Sequence, residues 1–406
     1  MRSEWSRYSL DGDAIQIIDG DRGVNYPRKM DMLPRGHCLF LNASNVTPTG
    51  FSFSRTEFIS KEKDQVLRGG KLERKDIVLT TRGTVGNTAF YSKTIGHENM
   101  RINSGMVLLR VADRKQLDEK FVYWMFRSPI VQEQIITLTS GSVQPQLPIR
   151  DIKKIHFFHP ELPEQKAIAK TISCLDAKIE VNNRIIKNLE EQAQAIFKNW
   201  FIDFEPFQDG EFVESELGMI PEGWAVGTID DIIELHDSKR VPLSSREREG
   251  MAKIYPYYGA ASLMDYVDDY IFDGTYLLLG EDGTVVDDFG YPILQYVYGK
   301  IWVNNHAHVI TGKNVYTVEH LYMLFRNTNV HSVVTGAVQK KINQRNLKSL
   351  QVILPPREVV GLYNDHIAPA FSLRKTLEQQ NTTLATLRDT LLPKLMSGEI
   401  EVPIDQ

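Results

Sequence analysis

Guanidinium, ammonium and carboxamide groups are the side chains that read nucleic acid: the cations neutralise phosphate, and arginine and glutamine also match base edges. In this 406-residue chain they gather at a few places. Arg22, Arg28 and Lys29 surround Tyr26 in an early basic loop. Arg82 follows Thr80-Thr81 and precedes Gly83 and Gly86, glycines that let backbone approach a phosphate. Gln144 and Gln146 lie just ahead of one long helical pattern, and Gln339, Lys340 and Lys341 just ahead of another. Lys239-Arg240, and Arg246 and Arg248 in the run Ser244–Arg248, stand out against acidic surroundings. Each group suits a polyanion, and each also has the composition of ordinary solvated surface.

Catalysis needs a constellation, and the usual ones for DNA are missing. No Asp-Pro-Pro-Tyr or Asn-Pro-Pro-Phe segment is present to receive a flipped base. The stretch from Gly290 to Gly299-Lys300-Ile301 has the wrong spacing for a phosphate-binding loop and lacks the Ser or Thr that would ligate magnesium. The acidic pairs Asp268-Asp269, Glu281-Asp282 and Asp287-Asp288 read as solvated turns. His306 and His308 alternate along a predicted strand and share a face, with no third ligand evident. Two cysteines, Cys38 and Cys174, are too few for a disulfide framework or a cysteine zinc site. No catalytic residue, no metal and no cofactor is assigned to this chain.

The elements that position the basic clusters belong to more than one domain, since the length exceeds that of an ordinary single domain and 42% hydrophobic content can bury two cores. The residues Met1-Arg2-Ser3-Glu4-Trp5 lack the apolar run of a signal peptide, and no uncharged apolar stretch of about 18 residues occurs, so a cytoplasmic protein without membrane attachment is expected. The net charge of -5 conceals an asymmetry. Residues 1–160 carry 24 Lys and Arg against 17 Asp and Glu, whereas 218–356 carry 12 against 16. The first globular stretch is the better electrostatic match to nucleic acid.

An internal repeat organises the chain. Gly141-Ser-Val-Gln144 returns as Gly336-Ala-Val-Gln339, and at the same offset of 195 Arg150 meets Arg345, Lys153 meets Lys348 and Pro160 meets Pro355. Further back, Arg82-Gly83-Thr84-Val85 sits where Asp282-Gly283-Thr284-Val285 sits. After Pro163, Ile168, Ile172, Leu175, Ile179, Asn182, Ile186, Leu189, Ala193, Ile196 and Trp200 alternate in steps of four and three. That is a heptad seam of about five heptads, roughly 50 Å of helix. Adding 195 gives a second seam that includes Leu377, Asn381, Leu384 and Leu391. Pro369 and Pro393 limit its predicted helix to roughly 370–392. Two matched seams, each with an asparagine, predict pairing with one another and exclusion of slipped registers. Asp76–Thr80, Gly105–Arg110, Tyr276–Leu279 and Ala307–Ile310 read as strands, so mixed α/β domains lie between the helices.

These features resemble the specificity subunits of type I restriction-modification systems over essentially the whole chain. Ser140-Gly-Ser-Val-Gln-Pro-Gln146 and Leu162-Pro-Glu-Gln165 with its helix are similar to that family's central conserved region. Leu217–Trp224 is similar to the start of its second target-recognition domain, and Leu387–Ile400 to its C-terminal conserved region. The resemblance implies a mixed α/β (α+β) fold: two target-recognition domains related by a pseudo-twofold repeat, separated by a pair of long antiparallel coiled-coil helices. The expected boundaries are 1–160, a helical spacer at 161–205, a linker at 206–217, a second domain at 218–356 and a helical spacer at 357–406. It also implies double-stranded DNA with a bipartite site, two methyltransferase subunits and restriction/translocase subunits as partners. S-adenosylmethionine, ATP and magnesium are then expected in those partners. The competing readings are a protein–protein scaffold that oligomerises through its helices, and a self-contained DNA-modifying enzyme.

Overall fold

The computed structural model describes residues 4–141, 144–336 and 339–404; Ser142, Val143, Ala337 and Val338 of the repeated Gly-x-x-Gln motif lie outside the described residues. The chain divides into two units, one made of 1–181 with 380–406 and the other of 182–379.

In the first unit a four-stranded antiparallel sheet runs in the order Ile15–Asp19, Met106–Val111, Ile77–Thr80, Thr88–Phe90. Side chains alternate across a strand, so this sheet serves two cores. Ile77, Leu79, Val107 and Leu109 face a core completed by the helix α1 (Glu119–Arg127), while Val78 and Leu108 face a second core with Leu39, Leu41 and Met100. Both faces are covered, which is why Ile77–Thr80 is a continuous buried run rather than a polar–apolar alternation. Asp118 starts α1 by accepting from the Lys120 and Phe121 amides.

The second unit repeats this plan. Ile233–Leu235, Ala307–Gly312, Phe272–Gly280 and Leu294–Val303 follow one another in the same order, and two further strands, Tyr255–Tyr258 and Leu263–Val267, extend the sheet to six. Leu277 opposes Ile310 as Ile77 opposes Leu109. A helix capped by Thr317 again covers one face. Each unit is also closed by a two-stranded clasp, Ser6–Ser9 with His156–His159 and Ala225–Thr228 with Gln351–Leu354. All four strands expected from sequence are present, and the stretch expected as a linker, 206–217, itself supplies the first strand of a hairpin, Phe212–Ser215 with Gly218–Pro221.

Two 40-residue helices complete the fold: α2 (Leu162–Phe201) and, beyond the helix α3 (Val318–Arg326), α4 (Arg357–Met396). Every seam position from Ile168 to Trp200, and every counterpart from Tyr363 to Leu395, is buried or half-buried, with Asn182 fully enclosed and Asn381 half-buried. Within the first unit Ile168 and Ile172 share a core with Leu392, Leu395 and Met396. Within the second, Glu190 meets Arg374 while Trp200 stacks near Tyr363 and His366, so the helices run antiparallel. An arginine–carboxylate–arginine sandwich fastens each pairing to its sheet-covering helix. Asp176 lies 2.6 Å from Arg388 and 3.5 Å from Arg127 of α1; Glu190 lies 2.5 Å from Arg374 and 3.2 Å from Arg326 of α3.

One expectation is corrected. The second helix does not stop at its prolines but runs from Arg357 to Met396 through Pro369 and Pro393. The carbonyls that lose a donor belong to Asp365 and Asp389, both solvent-exposed residues, where water can replace the bond. Buried Ile367 and Phe371 flank Pro369, and buried Leu392 and Leu395 flank Pro393, so packing holds the helix on both sides of each break.

Candidate nucleic-acid interface

The first unit brings four of the sequence-selected polar residues together at the end of strand Ile77–Thr80. Just beyond it the Thr81 amide donates to the Gly105 carbonyl at 2.8 Å and the Thr81 carbonyl accepts from Leu147 at 2.9 Å. Arg82 bridges Gln146, and Gln146 exchanges backbone bonds with Ser140 at 2.9 and 3.0 Å. The Asn103 side chain accepts from the Gly105 amide at 2.9 Å, closing the adjoining turn. Gly141 sits at φ +91°, and a Cβ there would lie 2.7 Å from the Gln144 carbonyl oxygen, so only glycine makes this turn. One cleft is lined by Arg82, Asn103, Ser104, Gln144 and Gln146, and its neighbour by Arg22, Arg82 and Gln146. Arg22 pairs with Asp19 at 3.1 Å while remaining half-exposed. Arg28 and Lys29 stand exposed on the next turn, whose Tyr26 hydroxyl accepts from Ser104 at 3.5 Å.

The second unit carries the same frame. The Glu281 amide donates to the His306 carbonyl at 2.8 Å, Ile342 donates to the Glu281 carbonyl at 2.8 Å, and Lys341 exchanges two 2.8 Å bonds with Thr335. Asp282 bridges Lys341, and Asn304 accepts from the His306 amide at 2.8 Å. Gly336, at φ +88°, repeats the turn of Gly141. Thr81, Arg82, Gly105 and Gln146 therefore correspond to Glu281, Asp282, His306 and Lys341.

Here the polar residues selected from the sequence divide. Lys239, Arg246, Gln339 and Lys340 are exposed. Lys341 is exposed as well and lies 3.2 Å from Glu281. Arg240 is turned inward, 2.7 Å from Glu281 and 3.4 Å from Asp237, and Arg248 is buried against Asp265 at 2.7 Å and over the Tyr257 ring. These two guanidiniums are committed to the interior of the unit. His306 and His308 do not share a strand face as expected. Only Ala307–Gly312 is strand; His306 lies in the preceding turn on Asp282, whereas His308 is buried with its ring nitrogens facing Asp237 at 2.6 Å and the Ile342 carbonyl at 2.7 Å.

Asp237, Glu281 and His308 form the one metal-compatible group found among the described residues, with ligand atoms within 4.8 Å of one another. Arg240 and Lys341 already place cations on both carboxylates. Burial pushes the Asp237 carboxyl up, but His308, the Val309 amide and Gln344 outweigh it and hold it below the usual carboxylate range; for Glu281, Arg240, His308 and Lys341 do the same. Sequence reasoning missed Asp237 and the pairing Asp19–Arg22 with Asp237–Arg240. The signal available was the shared Asp-x-x-Arg spacing at the end of the first sheet strand of each unit.

Two units that hold different polar side chains on one backbone frame, each backed by a part of both long helices, define a duplicated recognition protein. Residues 50–191 and 221–371 both match the type I restriction modification DNA specificity domain, and the chain belongs to that family. It is 27% identical over 345 residues to the type I restriction enzyme MjaIX specificity subunit of Methanocaldococcus jannaschii, covering 80% of this chain and 78% of that one. With the HindI specificity subunit of Haemophilus influenzae it shares 21% identity over 481 aligned positions, 98% of this chain and all of the other. The crystal structure of a type I restriction-modification S subunit from M. genitalium superposes with a TM-score of 0.56 at 17% identity, covering 97% and 96% of the two chains, which shows the same fold.

Proposed function

We propose that this chain is the non-catalytic DNA-reading subunit of a type I restriction-modification complex, working in the cytoplasm, with one half of a split site read by each unit through its loop frame. The observation that carries this reading is the repetition of the main bonds of the frame, those of Thr81 and Glu281 to both neighbouring segments and the Ser140–Gln146 and Thr335–Lys341 exchanges, combined with replacement of the side chains it presents. A duplicated reader needs a constant scaffold and two different surfaces, and the match of both units to a DNA specificity domain favours DNA over protein as what those surfaces meet. The chain binds no cofactor: S-adenosylmethionine, ATP and magnesium act in partner subunits. Two methyltransferase subunits bind equivalent surfaces generated by the internal repeat, and restriction/translocase subunits join that assembly.

The test is co-purification with the methyltransferase subunit encoded nearest to it, followed by single-molecule mapping of methylated adenines on DNA exposed to the complex. The expected result is a split motif, two short defined sequences around a fixed gap. Assembly accompanied by methylation without sequence restriction would instead support the scaffold reading.

A further inference from the structure

The two frames keep some residues in common and differ at others. Gln144 and Gln339 keep the same residue at the same place, as do Arg150 and Arg345, and all four are exposed. Four other positions change character: Arg82 becomes Asp282, Thr81 becomes Glu281, Gly105 becomes His306 and Gln146 becomes Lys341. Contacts to phosphate are the same for any duplex, so they suit the constant positions, while base edges differ between half-sites and suit the changed ones.

The sharpest change is at the first of these. Arg82 is exposed, and its guanidinium makes no hydrogen bond or ion pair among the described residues. Its backbone is nevertheless fixed, with the amide bonded to Gly105 at 3.2 Å and a bridge to Gln146. A positioned, uncommitted guanidinium is a preorganised two-pronged donor. In the second unit the same slot holds a carboxylate. The His306 ring nitrogen contacts one oxygen of Asp282 at 2.5 Å, and the other oxygen makes no hydrogen bond among the described residues. Charge and hydrogen-bonding direction are therefore inverted at one place in the repeated frame, where Arg82 bridges Gln146 and Asp282 bridges Lys341.

We infer that Arg82 and Asp282 are equivalent specificity-determining residues, Arg82 donating to the O6 and N7 of a guanine in one half-site and Asp282 accepting from the exocyclic amine of a cytosine in the other. The assignment rests on the DNA-reading role proposed above and extends it to named residues and base edges. Each pair affected is a G·C pair, read from opposite strands' chemistry by the two units.

Adenine methylation mapped with the complete complex carrying R82A, R82K or D282N tests this. R82A and R82K are expected to lose discrimination at one G·C position of one half-site by roughly tenfold to a hundredfold, leaving the other half-site unchanged. D282N is expected to relax a G·C position only in the other half-site. The intact half-site reports in each case that the variant is folded and assembled, and R82K keeps the charge if R82A fails to assemble. Wild-type selectivity in R82K, or an even loss of methylation over all sequences in R82A, would make Arg82 a phosphate contact and overturn the assignment while leaving the split motif standing. Relaxation at an A·T pair, or at the same half-site for both positions, would overturn it as well. Absence of any split motif with the wild-type complex would remove the DNA-reading role and the assignment together.

Discussion

Replacing His320 by phenylalanine tests what the core of the second unit does when acid reaches it. His320 projects from α3, is 3% exposed, and stands 5.1 to 5.6 Å, ring to ring, from Tyr316, Phe201, Tyr363 and Phe197. Its Nδ1 is buried without a hydrogen-bond partner. Burial among these rings pushes its pKa down to about 4, with an opposing contribution from Asn364. In the unfolded chain the ring titrates near the ordinary histidine value of about 6.5. The folded state therefore binds fewer protons between these limits, and stability falls as pH falls: it is intact above about pH 6.5 and is lost progressively down to about pH 4. Two-state linkage with those values gives a loss of about 2 kcal/mol between pH 7 and pH 5, roughly a twentyfold rise in the open population.

Amide exchange along the buried strand Leu277–Leu279, corrected for intrinsic rates, reads that opening, and Val107–Leu109 of the first unit serves as an internal reference. Wild-type protein is expected to lose protection at Leu277–Leu279 by about the predicted amount at pH 5 relative to pH 7. H320F is expected to lose markedly less, whatever its stability at pH 7, because its ring cannot take up a proton. Absolute stability is a poor guide here, since the larger ring can overpack the site. Equal pH dependence in wild type and H320F would refute the assignment of the acid sensitivity to this histidine.

Two further outcomes follow from charged groups held inside each unit. Glu190 neutralises Arg374 and Arg326 at once, so E190Q leaves two partly buried guanidiniums facing an amide and is expected to cost the second unit about 1–3 kcal/mol after allowing for its partial exposure, measured by denaturant unfolding; a change within experimental error would show the sandwich to be dispensable. In the first unit Asp64 is 3% exposed and bonded to Arg101 and Lys71, each at 2.5 Å. Burial pushes its pKa up, but those two cations outweigh it and hold it below the usual value. Its contribution is therefore complete above about pH 4 and is lost as pH falls through the depressed value. D64N is expected to destabilise this unit at neutral pH by about 3–5 kcal/mol and to flatten its acid transition, followed by near-ultraviolet circular dichroism; an unchanged acid transition would assign it to other carboxylates.

Much of the fold was legible because it rests on periodicity. The heptad seams, the strand runs at Ile77 and Leu277, and the offset of 195 each express a repeat that side-chain type alone reveals. What escaped depends on residues far apart in the chain. Propensity ends a helix at Pro369, but the burial of Ile367 and Phe371 decides otherwise. Arg240 and Arg248 look like Lys239 and Arg246 in the sequence, yet Glu281 and Asp265 claim the first two. The convergence of Arg22, Arg82, Gln144 and Gln146 is created by backbone bonds between Thr81, Gly105 and Leu147, which no local pattern announces.

The same backbone bonds explain why two frames so alike can display such different chemistry. Arg82 and Asp282 enter the frame through their main-chain groups, so the side chain at that place can change from cation to anion without breaking any bond that positions it. Gly141 and Gly336 are the opposite case. A Cβ at either would press on the carbonyl of Gln144 or Gln339, and both positions lie at positive φ, so the turn admits no exchange. Positions whose identity is set by backbone geometry thus alternate, within one short loop cluster, with positions where the frame holds only the main chain. Selection by a ligand can act on the second kind alone, and a surface built this way can acquire a new specificity while the fold beneath it stays as it is.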